Sequence, residues 1–205
     1  MLTLVSPPAV EPVSVAEARA ALALPSSIPD MTINAALVAA RQALDGKNGY
    51  LRRALITQTW DLTLDQAPGI SVCLMLPEVQ SIVSVSTWTG ADWVDVPAAE
   101  YRLSRGIPDR LISASGWPSG IGERSFRVRY VTGYGNAPAD VPQAIRQAII
   151  LRARPVITAM TVDPSLQRER VDGVGEFQWG FTVATADVYE SAAMSLVAGY
   201  RVPAL

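Results

Sequence analysis

The chain has 205 residues, 49% of them hydrophobic and 18% charged, a composition that supports a packed core and excludes a disordered chain. Nineteen acids against 17 bases leave a net charge of -2, which gives no general affinity for phosphate backbones or anionic lipid. Histidine is absent and Cys73 is the sole cysteine, so an intrachain disulfide, Cys/His metal sites and histidine-based catalysis, the Ser-His-Asp triad included, are all excluded.

Pro7, Pro8 and Pro12 predict an extended leader, and neither a signal peptide nor a run near the ~20 apolar residues of a membrane span is present, which predicts a soluble protein made in the cytoplasm. Ser14 and Glu17 have the spacing of a capping box, so a helix is expected from Val15 to about Leu24, closed by Pro25. Asp30 is the next N-cap candidate. Ile33, Leu37, Ala40 and Leu44 then share one face of a helix over 31–46, ended by Gly46 and Gly49.

From Thr57 the period changes to two. Trp60, Leu62 and Leu64 alternate with Thr59, Asp61 and Thr63, and a second run places Ile70, Val72, Leu74 and Leu76 on one face. A third strand is expected over Val79–Trp88, turning through Thr89–Asp92 into Trp93–Val96, with a short strand at Tyr101–Leu103. Glycines and prolines mark 106–122 as loop, and Phe126–Val131 alternates again with Arg127 and Arg129 on one side. Asp140-Val-Pro-Gln143 starts a third helix, 141–158, that Pro155 kinks or ends. Residues 161–185 are polar and glycine-punctuated and read as an extended arm with one short strand. A last helix is expected over 186–199.

The order of elements predicts an α+β fold: a small α-helical bundle built from both chain ends, with an inserted antiparallel β subdomain and an extended C-terminal arm. The expected divisions are 1–50 for leader and first helices, 51–135 for the β subdomain, 136–160 for the third helix and 161–205 for arm and helix. Residues 51–100 carry six acids and two bases, whereas 101–150 carry seven bases and three acids. Opposite charges so divided suit head-to-tail association between copies, or mutual neutralisation within one sheet.

Motifs for chemistry are weak. Gly133-Tyr-Gly135 and Gly173-Val-Gly175 extend to neither a dinucleotide nor a P-loop fingerprint and read as turns. The pairs Asp61/Asp65 and Asp92/Asp95 have no accompanying sign of the cleft that a two-carboxylate hydrolase needs. Cys73 lies in an apolar strand with no base to activate it. Arg124, Arg127 and Arg129 are candidate assembly contacts, able to meet phosphate or a partner's carboxylates, and the five tryptophans leave a surface or carbohydrate-binding β module without catalysis as the alternative reading.

Several stretches carry a resemblance when taken together. They are Pro12-Val-Ser-Val-Ala-Glu-Ala-Arg19, Leu37-Val-Ala-Ala-Arg41, Arg53-Ala-Leu-Ile-Thr-Gln-Thr-Trp-Asp-Leu-Thr-Leu-Asp65, Gln80-Ser-Ile-Val-Ser-Val85, and Val128-Arg-Tyr-Val-Thr-Gly-Tyr-Gly135 followed by Val141-Pro-Gln-Ala-Ile-Arg-Gln-Ala148. Over residues 10 to 150 they resemble the head-tail connector (adaptor) family of tailed bacteriophages and gene transfer agents. Gly199-Tyr-Arg201 is similar to that family's ending.

The resemblance implies a non-enzymatic virion neck protein without cofactor or metal. Twelve copies form a ring under the portal protein, extend the DNA channel and dock the next neck, stopper or tail protein. DNA passes through the lumen without sequence-specific binding, and no membrane is involved. Residues 155–185 depart from the commonest pattern of the family. There Val174, Phe177, Trp179 and Phe181 would be a liability in solvent, so Phe177 and Trp179 are expected as anchors on another chain, with Tyr200 and Arg201 near that contact, the alternative being an arm folded back on its own β subdomain.

Overall fold

A computed structural model describes residues 1–161, 169–171, 175–177 and 183–203. The fold is mixed α+β, as the change of period predicts, and divides into two compact units. One comprises residues 1–11, 44–141 and 201–205, the other 12–43 and 142–200.

In the β unit, the sequence places apolar side chains at every second position and the strands pair accordingly. A five-stranded antiparallel sheet has the order β1 (Leu2–Ser6), β2 (Gln58–Leu64), β8 (Phe126–Thr132), β4 (Val79–Trp88), β5 (Trp93–Asp95). A three-stranded sheet has the order β3 (Ser71–Cys73), β7 (Arg110–Ser113), β6 (Tyr101–Ser104). Trp60 and Leu62 of β2, Phe126, Val128 and Tyr130 of β8, and Val85 of β4 join Val72 and Leu111 of the small sheet in one buried core. At roughly 25 cal/mol per Å² of apolar surface removed from water, this core is the main stabilising term of the unit.

Several expectations are corrected here. The leader is not merely extended, because Leu2–Ser6 pairs antiparallel with β2, Leu2 opposite Leu62 and Leu4 opposite Trp60. The run over 70–76 yields only the three residues of β3. One further ladder bond follows, Leu74 N–H to Asp109 O, and the backbone then turns out of the strand, with Leu76 and Glu78 at φ of 59° and 73°. Part of the stretch read as loop is β7, which forms a hairpin with β6 and on its other side pairs with β3, distant in sequence. Residues 1–11 and 44–50 belong with the β unit rather than with the helices.

Tyr130 closes the centre of the core. It is fully buried and its hydroxyl donates to Met75 O at 2.7 Å. Burial pushes its phenol well above the ordinary tyrosine range, because the phenolate cannot be solvated there. A raised folded-state pKa favours the neutral form. Tyr130 therefore contributes its full stability below the unfolded-chain value of about 10, and that contribution is lost as pH rises above it, by up to about 1.4 kcal/mol per pH unit. Tyr130→Phe is expected to be about 1–2 kcal/mol less stable at pH 8, where Met75 O loses its donor, and to show a shallower alkaline decline than wild type. Urea titrations from pH 8 to 11 check this. Parallel stability–pH curves for the two proteins would contradict it.

In the α unit, α1 (Val15–Ala21) is capped by Ser14, whose Oγ accepts from Glu17 N–H at 3.1 Å. The expected reciprocal half of the capping box is replaced. Glu17 Oε2 instead accepts from Arg146 Nη2 at 2.6 Å, joining α1 to α3 (Gln143–Thr161). α2 (Asp30–Gln42) is capped at Pro29, so Asp30 is a first-turn residue, and it pairs with Arg19 at 2.7 Å. That helix ends before Leu44, shorter than its apolar spacing suggested.

Ile33, Leu37, Ile145, Ile149 and Ala153 are buried, as are Ala193 and Val197 of α4 (Val183–Val197). α3 packs against both α2 and α4. Pro155 lies inside α3 without ending it. In the arm, β9 (Glu169–Val171) and β10 (Gly175–Phe177) pair antiparallel with each other and join neither of the other sheets.

Candidate assembly surface

The alternation that fills the core puts the other half of each strand on the opposite face of the five-stranded sheet. On β8 this brings Arg127 and Arg129 to that face, two residues apart. Register then decides what each meets. Asp61 on β2 lies opposite Arg129, and the guanidinium forks onto it, Nε to Oδ1 at 2.7 Å and Nη2 to Oδ2 at 2.8 Å. This hydrogen bonding pushes the Arg129 pKa up from its ordinary value. The contrasting charges of 51–100 and 101–150 thus meet, at this point, inside one sheet.

Arg127 has Thr63 opposite on β2 and Ser86 on β4. Its guanidinium carbon sits 4.3 Å from the centroid of the Trp93 ring, and Trp93 packs against Trp88 with centroids 5.6 Å apart. Ser86 Oγ donates to Asp95 Oδ1 at 2.6 Å beside them. Arg124 precedes β8 in an exposed turn with φ 55°.

The tryptophans do not form one platform. Trp60 and Trp117 are buried in the core, Trp88 and Trp93 are half-buried as a pair, and Trp179 lies outside the described residues, as does the side chain of Phe177. At the C-terminus, Arg201 stacks on the Tyr50 ring of its own chain with its guanidinium carbon 4.8 Å from the centroid. The buried Val202 donates its N–H to Leu51 O at 3.1 Å. This end of the chain is therefore engaged within its own β unit. Tyr200 ends the short 3-10 turn Ala198–Tyr200 that follows α4.

The carboxylate pairs offered as hydrolase candidates are not arranged for one. Asp61 is held by Arg129 and Asp95 by Ser86, so neither pair presents two free carboxyl groups to a common space. Asp65 lines an open hollow of about 400 Å³ with Glu123, Gln66 and Gly120. A cleft of apolar character in the β unit, about 150 Å³, is lined by Lys47, Arg52, Met75, Leu76, Val202 and Pro203. Among the described residues no group of three or more Asp, Glu or Cys could hold a metal ion, and no helix is long and apolar enough to cross a membrane.

The fold is that of a neck protein of phage-like particles. A chain in a structure of the neck of an empty gene transfer agent (GTA) particle computed with C6 symmetry superposes with a TM-score of 0.71 at 20% identity, covering 100% of this chain and 97% of that one. A chain in the virion of a native GTA particle gives 0.69 at 20% identity, and one in the neck of a native GTA particle computed with C12 symmetry gives 0.65 at 19%, each with the same coverage. No family model and no curated protein matches the sequence.

Proposed function

We propose that the chain is a structural head-tail connector (adaptor) subunit of a phage or gene transfer agent particle. In this reading copies of the chain form a ring of twelve beneath the portal, extend the DNA channel and hold the next neck or tail component, without catalysis. The carrying observation is the fold likeness, which runs over the whole of this chain and nearly the whole of chains found in particle necks computed with C6 and C12 symmetry. The net charge of -2 supports the channel reading, since a lumen dense in cations would hold the phosphates of the passing duplex and stall it.

The helical bundle and the β subdomain act as two domains, and the chain is made in the bacterial cytoplasm before assembly. The arm over 161–185 reaches a neighbouring copy or the portal, with Phe177 and Trp179 as anchors. Arg124, exposed in its turn, and Tyr200 and Arg201 at the chain's end lie near contacts between subunits.

Deleting the gene and imaging the particles tests the reading. DNA-filled heads without tails are expected, restored when a tagged copy is supplied. Gold labels on the tag should then lie at the head-tail junction. Labels at the tail tip or over the capsid shell would remove the connector assignment.

A further inference from the structure

The sheet treats its two outward arginines differently, and the difference leaves one of them incomplete. Arg129 receives both oxygens of Asp61. Arg127, one pleat along the same strand, faces Thr63 and Ser86, neither of which carries a charge. Its Nε is buried and has no acceptor, while its guanidinium rests on Trp93, itself packed on Trp88. A buried charged donor without an acceptor forfeits its hydration and gains nothing in return. Tryptophan and arginine held together at a partly covered surface are the residue types that anchor protein interfaces.

We propose that Trp88, Trp93 and Arg127 form the docking site for a carboxylate side chain on a second copy of this chain. Arg127 thereby receives across the interface, on its two terminal guanidinium nitrogens, a carboxylate like the one that Arg129 receives within its own sheet. This rests on the ring reading above and names a contact within the ring.

The chemistry selects the occupant. A nucleic-acid backbone would bring many phosphates to a face that also holds Asp61 and Asp95, with Asp92 in the adjoining turn, and would be repelled. A single carboxylate among apolar side chains meets one cation and two indole rings. The chain itself supplies such carboxylates: among the described residues Asp65, Asp92, Glu100, Glu123 and Asp187 have neither a side-chain hydrogen bond nor an ion pair. A repeated subunit carrying donor and acceptor on different patches is what a head-to-tail contact requires. The acceptor is one of these five.

The test counts copies of the chain retained per purified particle. Arg127→Glu is expected to lower retention by roughly 10-fold or more, the scale of a lost anchor. In that background each of the five acids is changed to Arg in turn, and one of the five should restore retention to near wild type, which also establishes that the variant folds. Arg127→Lys keeps the cation over Trp93 but cannot fork. It should lose retention while melting within a few degrees of wild type. Full retention of Arg127→Glu or Arg127→Lys, or failure of all five reversals to rescue, overturns the proposal. A wild-type chain absent from the neck would instead remove the ring reading, and this contact with it.

Discussion

Trp60→Ala is expected to destabilise the protein by about 3–5 kcal/mol, the usual cost of deleting a buried indole. The ring is 5% exposed and sits in the core, with Leu4 opposite on β1 and Tyr130 on β8. It also has a second task. Trp60 Nε1 donates to Gln58 Oε1 at 3.0 Å, Gln58 Nε2 donates to Asp45 Oδ2 at 2.9 Å, and Asp45 Oδ1 accepts from Leu55 N–H at 3.0 Å.

The indole therefore fills the core and terminates a polar chain that fastens the 45–55 loop to β2. Gly46, with φ 78°, lies under the ring, where a Cβ would stand 3.8 Å from it. Trp60→Phe keeps most of the volume but strands the Gln58 oxygen, so it should cost about 1–3 kcal/mol. Urea unfolding followed by circular dichroism separates the two. A loss below about 1 kcal/mol for Trp60→Ala would show that the site relaxes to fill the void.

Which parts of the fold were legible depended on the distance between the residues that decide them. β2 and β8 are readable because their residues alternate, and β4 because Val79–Trp88 is rich in β-branched residues between Pro77 and a turn, although two register shifts break its alternation. The pattern for β1 is equally present in Leu2-Thr-Leu-Val, but five residues beside two prolines form a strand only because β2, nearly 60 residues away, offers an edge. β7 likewise exists because β3 and β6 flank it. Glu17 had the spacing to cap its own helix. Arg146 lies 129 positions away, and a charged partner outbids a backbone N–H.

The assembly surface divides in the same way. That Arg127 and Arg129 share a face follows from a period of two. That only Arg129 finds a carboxylate follows from the register of β2 against β8, a relation across 68 residues that no local pattern contains. The stacking of Trp93 under Arg127 depends on β4 carrying both neighbours, β8 on one side and β5 on the other.

Replacing residues 163–182 by a short Gly/Ser linker is expected to abolish retention of the chain on particles while leaving its melting midpoint nearly unchanged. Truncation after Met160 is the poorer experiment. It removes α4, whose Ala193 and Val197 are fully buried, and the buried Val202, so lost attachment would be confounded with lost packing. The linker spares all three. The sequence it replaces includes Val174, Phe177, Trp179 and Phe181 among glycines and polar residues, too few for a core of their own. Among the described residues the two strands there, three residues each, pair with one another and with no other strand, and a two-stranded ribbon is marginal in water without something to pack on. Docking on another chain supplies that support and buries the aromatics, at the expense of the arm's conformational entropy. Two aromatic anchors at about 2 kcal/mol each correspond to roughly 1,000-fold in affinity, enough to empty the neck at cellular concentrations. If the linker variant is retained at the wild-type copy number, the arm is not the attachment element, and the contact must be sought on the sheet face and the exposed turn of Arg124.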